Sequence, residues 1–152
     1  MASSGGAVGA FLRCDSGVEV ALYSPMEGQK SQSDQLENRL IEFASRIVLY
    51  STELPKTPAA RHISLQILRS GTACAANYAE ARAAESPADF IHKLKIVQKE
   101  LNETAVWLQI LGKSVLTKDE CFVAILQENR ELSRIITASV RTARSRCLPG
   151  PK

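Results

Sequence analysis

The sequence lacks most of the features that would give away a function. No apolar run approaches the roughly 18 to 20 residues that carry a helix across a bilayer, so no membrane span is expected. Cysteine is sparse: Cys14, Cys74, Cys121 and Cys147 are scattered, with no CxxC and no zinc-ligand spacing. Thiols placed this way read as reduced side chains of a cytoplasmic protein, not as a disulfide framework. There is no glycine-rich phosphate loop, because Gly71 stands alone in the middle of a helical stretch. Aromatic residues are only 5% of the chain, with a single Trp. The core must then come from Leu, Ile, Val and Ala, a supply that suits helices better than a β-sandwich. Charge of either sign is nearly balanced: 19 Lys and Arg against 16 Asp and Glu give +3, which is compatible with nucleic acid but does not single it out.

What is present is an ordinary globular balance, 45% hydrophobic and 23% charged over 152 residues, which is about one domain and not a disordered chain. Residues 1–33 differ from the rest. Met1 to Ala10 is Gly, Ala and Ser, and the apolar patches that follow are broken by Arg13, Cys14 and Asp15. With no early Lys or Arg, this is not a secretory signal. It reads as a disordered or non-native extension, with Met26 as the expected physiological start, or with Val18 to Tyr23 as a short strand or docking segment.

From Asp34 the pattern is helical. Leu36, Leu40, Phe43, Ile47, Tyr50 and Leu54 follow each other at steps of four and three, one stripe on a helix capped by Asp34 and stopped by Pro55 and Pro58. A second helix should open at Thr57-Pro58, carry Ile63, Ile67 and Leu68, and fade after Arg82 to Ala84. Gly71 within it costs ~1 kcal/mol against Ala, which close approach of a neighbouring helix would offset. A third opens at Ser86-Pro87 with Asp89 completing a near capping box. Its stripe is Phe90, Leu94, Val97, Leu101, Ala105, Leu108 and Leu111, and Gly112 should terminate it, with an extension to Val115 as the alternative. A fourth should open on the box Thr117 to Glu120, bury Phe122, Ile125, Asn129, Leu132, Ile136 and Ser139, and last to about Arg144. Strand signals are missing and the connections are short. The expected fold is all-α, an antiparallel up-down-up-down four-helix bundle over residues 34–146, with 147–152 a disordered tail.

Within the middle of the chain stand Arg69-Ser70, Asn77-Tyr78-Ala79-Glu80, Asp89-Phe90, and Lys99-Glu100-x-x-Glu103-Thr104-x-x-Trp107-Leu108. In order and spacing these elements resemble the bacterial four-helix bundle family named for proteins encoded in intervening sequences of large-subunit ribosomal RNA genes. The likeness is best over the second and third helices and extends from about Leu36 to Val140. Family members commonly carry Ile where this chain has Ala73 or Cys74, so packing there is expected to differ. The resemblance implies a four-helix protomer in a ring-shaped homopentamer, without a settled activity. A related branch, the accessory proteins of diversity-generating retroelements, is a basic pentamer that binds nucleic acid and partners a reverse transcriptase.

The residues themselves give two groups. Arg69, Asn77, Glu80, Glu100 and Glu103 recur at helical spacing on the two motif-bearing helices and read as a structural polar network that fixes register and assembly. A catalytic carboxylate pair is the rival reading, but no nucleophile has a base beside it, so no enzyme is expected. Asp89-x-x-His92 is the one fragment of a di-metal motif and His62 has no such partner, so neither a metal site nor a cofactor is expected. The second group is basic: Arg130, Arg134, Arg141 and Arg144 on the last helix, and Lys93, Lys95 and Lys99 on the third. A solvated face favoured by the helix dipole explains the arginines without a partner. Repeated round a homo-oligomeric ring, the same cations would hold RNA or DNA by its phosphates, with no aromatic interleaving for base stacking. The alternative is a protein-interaction scaffold that binds no nucleic acid. Neither reading calls for a membrane or a small-molecule substrate.

Overall fold

The computed structural model describes residues 31–114 and 119–147. The expectations for the N-terminal extension, for Thr117 and for the tail after Cys147 fall outside those residues. The four stripes become four helices: α1 (Gln32–Glu53), α2 (Pro58–Arg82), α3 (Pro87–Lys113) and α4 (Glu120–Cys147). Among the described residues there is no strand, and no helix is long and apolar enough to cross a membrane.

The helix starts follow side-chain capping, with two shifts from expectation. In α1 the cap is Ser31, whose hydroxyl accepts from Asp34 N at 3.2 Å while the Asp34 carboxylate accepts from Ser31 N at 3.1 Å. Asp34 is thus the third helical residue of a capping box, and the cap lies three residues before the one expected. Thr57 caps α2 with Pro58 in its first turn, and Ser86 caps α3. In α4 the Asp119 carboxylate accepts from Phe122 N at 2.7 Å, and its carbonyl takes the first helical bond from Val123. Asp119 is therefore the cap, two residues after the one expected.

Gly112 does not end α3. It lies inside the helix, where a Cβ would stand 2.8 Å from Phe122 Cζ. Its missing side chain makes room for a ring from α4. Gly71 has the same role on α2: a Cβ there would meet Ile47 Cγ1 and Cγ2 at 3.0 Å, which is the close helix approach that offsets its propensity cost.

Each helix packs against its neighbours in chain order, and α1 also closes on α4, the thinnest of the four contacts. Contacts run in opposite order along every adjacent pair. Ser64 of early α2 donates to the carbonyl of Ser51 in late α1 at 3.1 Å, while Arg82 of late α2 reaches Asp34 of early α1 at 2.6 Å. Along α2 and α3, Ser70 meets Thr104 and Glu80 meets Lys93. Along α3 and α4, Gln98 Nε2 donates to Thr137 Oγ1 at 2.8 Å and the Asn129 amide donates to the Leu101 carbonyl at 3.2 Å. Arg39 clamps α1 to α4 through two bonds to Glu128, at 2.5 and 3.0 Å. That bidentate hydrogen bonding is what holds the Arg39 pKa above its ordinary value.

The expected α1 stripe is buried from Leu40 to Leu54, with Leu36 packed on its edge. On α3 the buried residue is Thr104, and Ala105 is only half-buried. On α4 it is Val140, with Ser139 half-buried. Both differences move the stripe by one position at a place where the two candidates lie on adjoining helix faces. Among the described residues three polar side chains are fully buried: Ser70, Thr104 and Asn129. Thr104 Oγ1 lies 2.8 Å from both Ser70 Oγ and the Glu100 carbonyl, and Ser70 donates to the Gln66 carbonyl at 2.9 Å. Asn129 uses its amide nitrogen, but its Oδ1 has no partner.

Candidate nucleic-acid interface

The basic residues are placed by two helices whose register is known from Gln98–Thr137 and Leu101–Asn129. On α4, counted from buried Asn129 at about 100° per residue, Arg144, Arg130, Arg141 and Arg134 lie between about 60° and about 140° round the helix. This is the side on which Thr137 meets Gln98 of α3. On α3, counted from buried Leu101, Lys95 and Lys99 lie at about 120° and about 160° on the side that faces α4. The contacts put Lys99 level with Arg134, and Lys95 level with Arg141, to within about one helical turn. Six of the seven basic residues singled out in the sequence therefore share the outer face of the α3–α4 pair.

Lys93 is the exception. It turns the other way, to the Glu80 carboxylate of α2, and that hydrogen bond raises its pKa. Two neighbouring carboxylates also turn away from the basic face, and a third stays on it. Glu103 bonds Arg69 of α2, and Glu128 bonds Arg39 of α1. Glu131 pairs with Arg134 at 2.6 Å on its own helix, an exposed link three residues apart of small energetic weight. Arg130, Arg134, Arg141 and Arg144 and both lysines are exposed.

At the α4 C-terminal end of this face is a groove of about 380 Å³ lined by Gln98, Thr137, Val140, Arg141, Arg144 and Ser145. Arg141 and Arg144 line it beside the Gln98 amide and the Thr137 hydroxyl, groups that can donate to phosphate oxygens, while the Ser145 hydroxyl donates to the Thr142 carbonyl. Sequence reasoning missed Gln98 and Thr137. Their signal was available, because Thr137 is three residues after Arg134 and four before Arg141, and Gln98 is three after Lys95.

The five residues expected to form one polar network lie in separate places. Arg69 and Glu103 bond across the α2–α3 seam, and Trp107 Nε1 donates to the same carboxylate oxygen at 3.4 Å. Glu80 belongs to Lys93. The Asn77 amide donates to the Ala73 carbonyl of its own helix at 2.9 Å, so it spans nothing. Glu100 acts on buried Cys74: burial first, and the Glu100 charge second, push the thiol pKa up to about 12. That is the opposite of an activated nucleophile. His62 stands edge-on to Trp107 with centroids 5.7 Å apart. Among the described residues, no three His, Cys, Asp or Glu side chains are grouped as a metal ion would require.

Comparison with known proteins agrees with this architecture. A model of the family described as 23S rRNA-intervening sequence protein matches residues 32–138. The chain is similar to a crystal structure from Bacteroides thetaiotaomicron, described as a protein of unknown function from the S23 ribosomal protein family. Identity is 35% and the TM-score 0.68, over 73% of this chain and 99% of that one. No curated protein matches the chain.

Proposed function

The chain belongs to the 23S rRNA-intervening sequence protein family, and from that premise we propose that it is a non-enzymatic, self-assembling cytoplasmic protein that binds RNA or DNA by its backbone. The observation that carries this reading is the gathering of Lys95, Lys99, Arg130, Arg134, Arg141 and Arg144 on one outer face, where Glu131 offsets only Arg134 while Glu103 and Glu128 pair with α2 and α1. A fold needs no such segregation. Scattered charges would solvate the two helices equally well. Attraction to phosphate grows with the number of charges neutralised, so repetition of the face in a homo-oligomer would multiply it.

Self-assembly draws support from exposed apolar residues. Ile41, Val48 and Leu65 lie on the outside of α1 and α2, while Val106, Ile110 and Val123 lie on α3 and α4, beyond the basic strip. Two unlike patches on one protomer suit head-to-tail contacts, which close into a ring; the family resemblance suggests five subunits. The non-enzymatic reading is supported by Cys74, sealed and held protonated, and by the Ser70 and Thr104 hydroxyls, which are committed to core hydrogen bonds.

The test is a titration of the protein into labelled RNA and DNA at two salt concentrations, with the native mass measured in parallel. The expected outcome is an oligomer whose affinity falls steeply with salt. An oligomer that binds neither nucleic acid at low salt would overturn the binding half and leave a protein-interaction scaffold.

A further inference from the structure

Resting on the reading of the α3–α4 face as a nucleic-acid surface, we infer that the form it takes is a duplex, held by its phosphates. Three observations lead there. The first is what stands beside the cations. Proteins that hold single strands without sequence preference combine a basic track with aromatic platforms, and stacking supplies about 1–3 kcal/mol per base. Among the described residues the aromatic side chains lie elsewhere. Phe43, Tyr50, Tyr78 and Phe122 are buried in the core, and Trp107 is half-buried against His62 on the α2 side. A single strand on this face would be ordered without that compensation.

The second observation is shape. Arg130 to Arg144 spans fourteen residues of one helix, about 21 Å of straight axis. The α3 lysines stand alongside on a parallel axis about 8–10 Å away. Cations fixed on two packed helices form a rigid track. A duplex presents a rigid lattice of about one charge per 1.7 Å, or about twelve along such a length, and meets the track with little to order on either side. The third is the groove lined by Arg141 and Arg144, where the Gln98 amide and the Thr137 hydroxyl add neutral donors. This is a seat for one backbone phosphate; guanidinium and phosphate pair in bidentate fashion. Contacts of this kind position a duplex and carry no base sequence.

The experiment uses the full chain and four fluorescein-labelled probes: a DNA duplex and an RNA duplex of about 20 base pairs, and oligo(dT) and oligo(rU) of the same length. Binding is followed by anisotropy between about 50 and 200 mM salt. At least one duplex should bind about tenfold tighter than the single strand of its own sugar, a gap of about 1.4 kcal/mol. Affinity should be unchanged when the duplex sequence is shuffled. In the double variant Arg141→Ser, Arg144→Ser, which removes the seat for one phosphate, the log–log salt slope should become shallower by about 1. Circular dichroism should show the variant folded as before. Single strands bound as tightly as duplexes would overturn this inference and leave the nucleic-acid reading standing. Duplex binding with an unchanged slope in the folded variant would place the contact elsewhere and also overturn it. No binding of any probe at 50 mM salt would remove both.

Discussion

On the α1–α2 side of the bundle the outward positions include Ile41, Val48 and Leu65 among charges of both signs such as Glu42, Arg61 and Arg69, whereas on the α3–α4 side they include the one-sign group Lys95, Lys99, Arg130, Arg134, Arg141 and Arg144. Inside, the two pairs are built alike. Each has an aliphatic stripe, and each has one glycine admitting a side chain of the neighbour: Ile47 at Gly71, Phe122 at Gly112. The same packing solution thus carries two different surfaces. Stability is set by the shared interior. The outer faces are free to differ, and their difference is where function is to be sought.

The largest effect that sharpens this contrast is expected at Gly71. In Gly71→Leu the new side chain meets Ile47 at a contact already at 3.0 Å for a Cβ alone. Overpacking there should cost about 3 kcal/mol, the upper part of the usual range. Lys99→Leu places the same side chain on the exposed basic face and should stay within about 0.5 kcal/mol of the wild type. Urea unfolding of the two variants checks both, and an equal loss at Lys99 would dissolve the distinction between interior and face.

A smaller effect is chemical. Cys74 is sealed between helices with its thiol pKa pushed up to about 12, while Cys147 is exposed at the end of α4. Iodoacetamide at mildly alkaline pH should modify Cys147 in the folded protein and reach Cys74 only on unfolding. Mass spectrometry of the tryptic peptides reads this directly, and rapid native labelling of Cys74 would count against the α2 packing. The smallest effect concerns the far end of the α1–α2 pair, where the Ser31 hydrogen bonds, and then Arg82, hold the Asp34 pKa below its ordinary value. A carboxylate depressed in this way stabilises the fold above its unfolded pKa, and that contribution disappears as pH falls through the folded one. Asp34→Asn should therefore lower the Tm at neutral pH, and the gap should close by about pH 2. A gap that persists in acid would assign the loss to something other than charge.

Much of the bundle was legible because α1, α3 and α4 repeat their apolar residues at steps of three and four with little ambiguity. The misplaced positions share a cause. Ala105 and Thr104, like Ser139 and Val140, are neighbours of which both are small enough to bury, so a period alone does not choose between them. Ser31 was obscured because Asp34 is also a good cap, and three-dimensional geometry decides which oxygen accepts. The site was half legible. Spacing along α4 put Arg130, Arg134 and Arg141 together, but the joining of Lys95 and Lys99 to them depends on which side of α3 meets α4, a tertiary fact. The departure of Lys93 depends on Glu80 waiting on α2. Asn77 was grouped with the network by its helical spacing, and its own-helix bond to the Ala73 carbonyl leaves no mark in the sequence.

The contact of Gly71 with Ile47 has a consequence for the history of the chain. A methyl group added at position 71 presses on both branch carbons of Ile47, which must then give by a few tenths of an ångström, since helix α1 already rests against α2 there. The two sites should drift as a couple: lineages that acquire Ala at the first should be those that trim the branch at the second, as Ala does. A lineage keeping Gly71 is under no such obligation, and can enlarge or shrink its outer faces without reopening the interior.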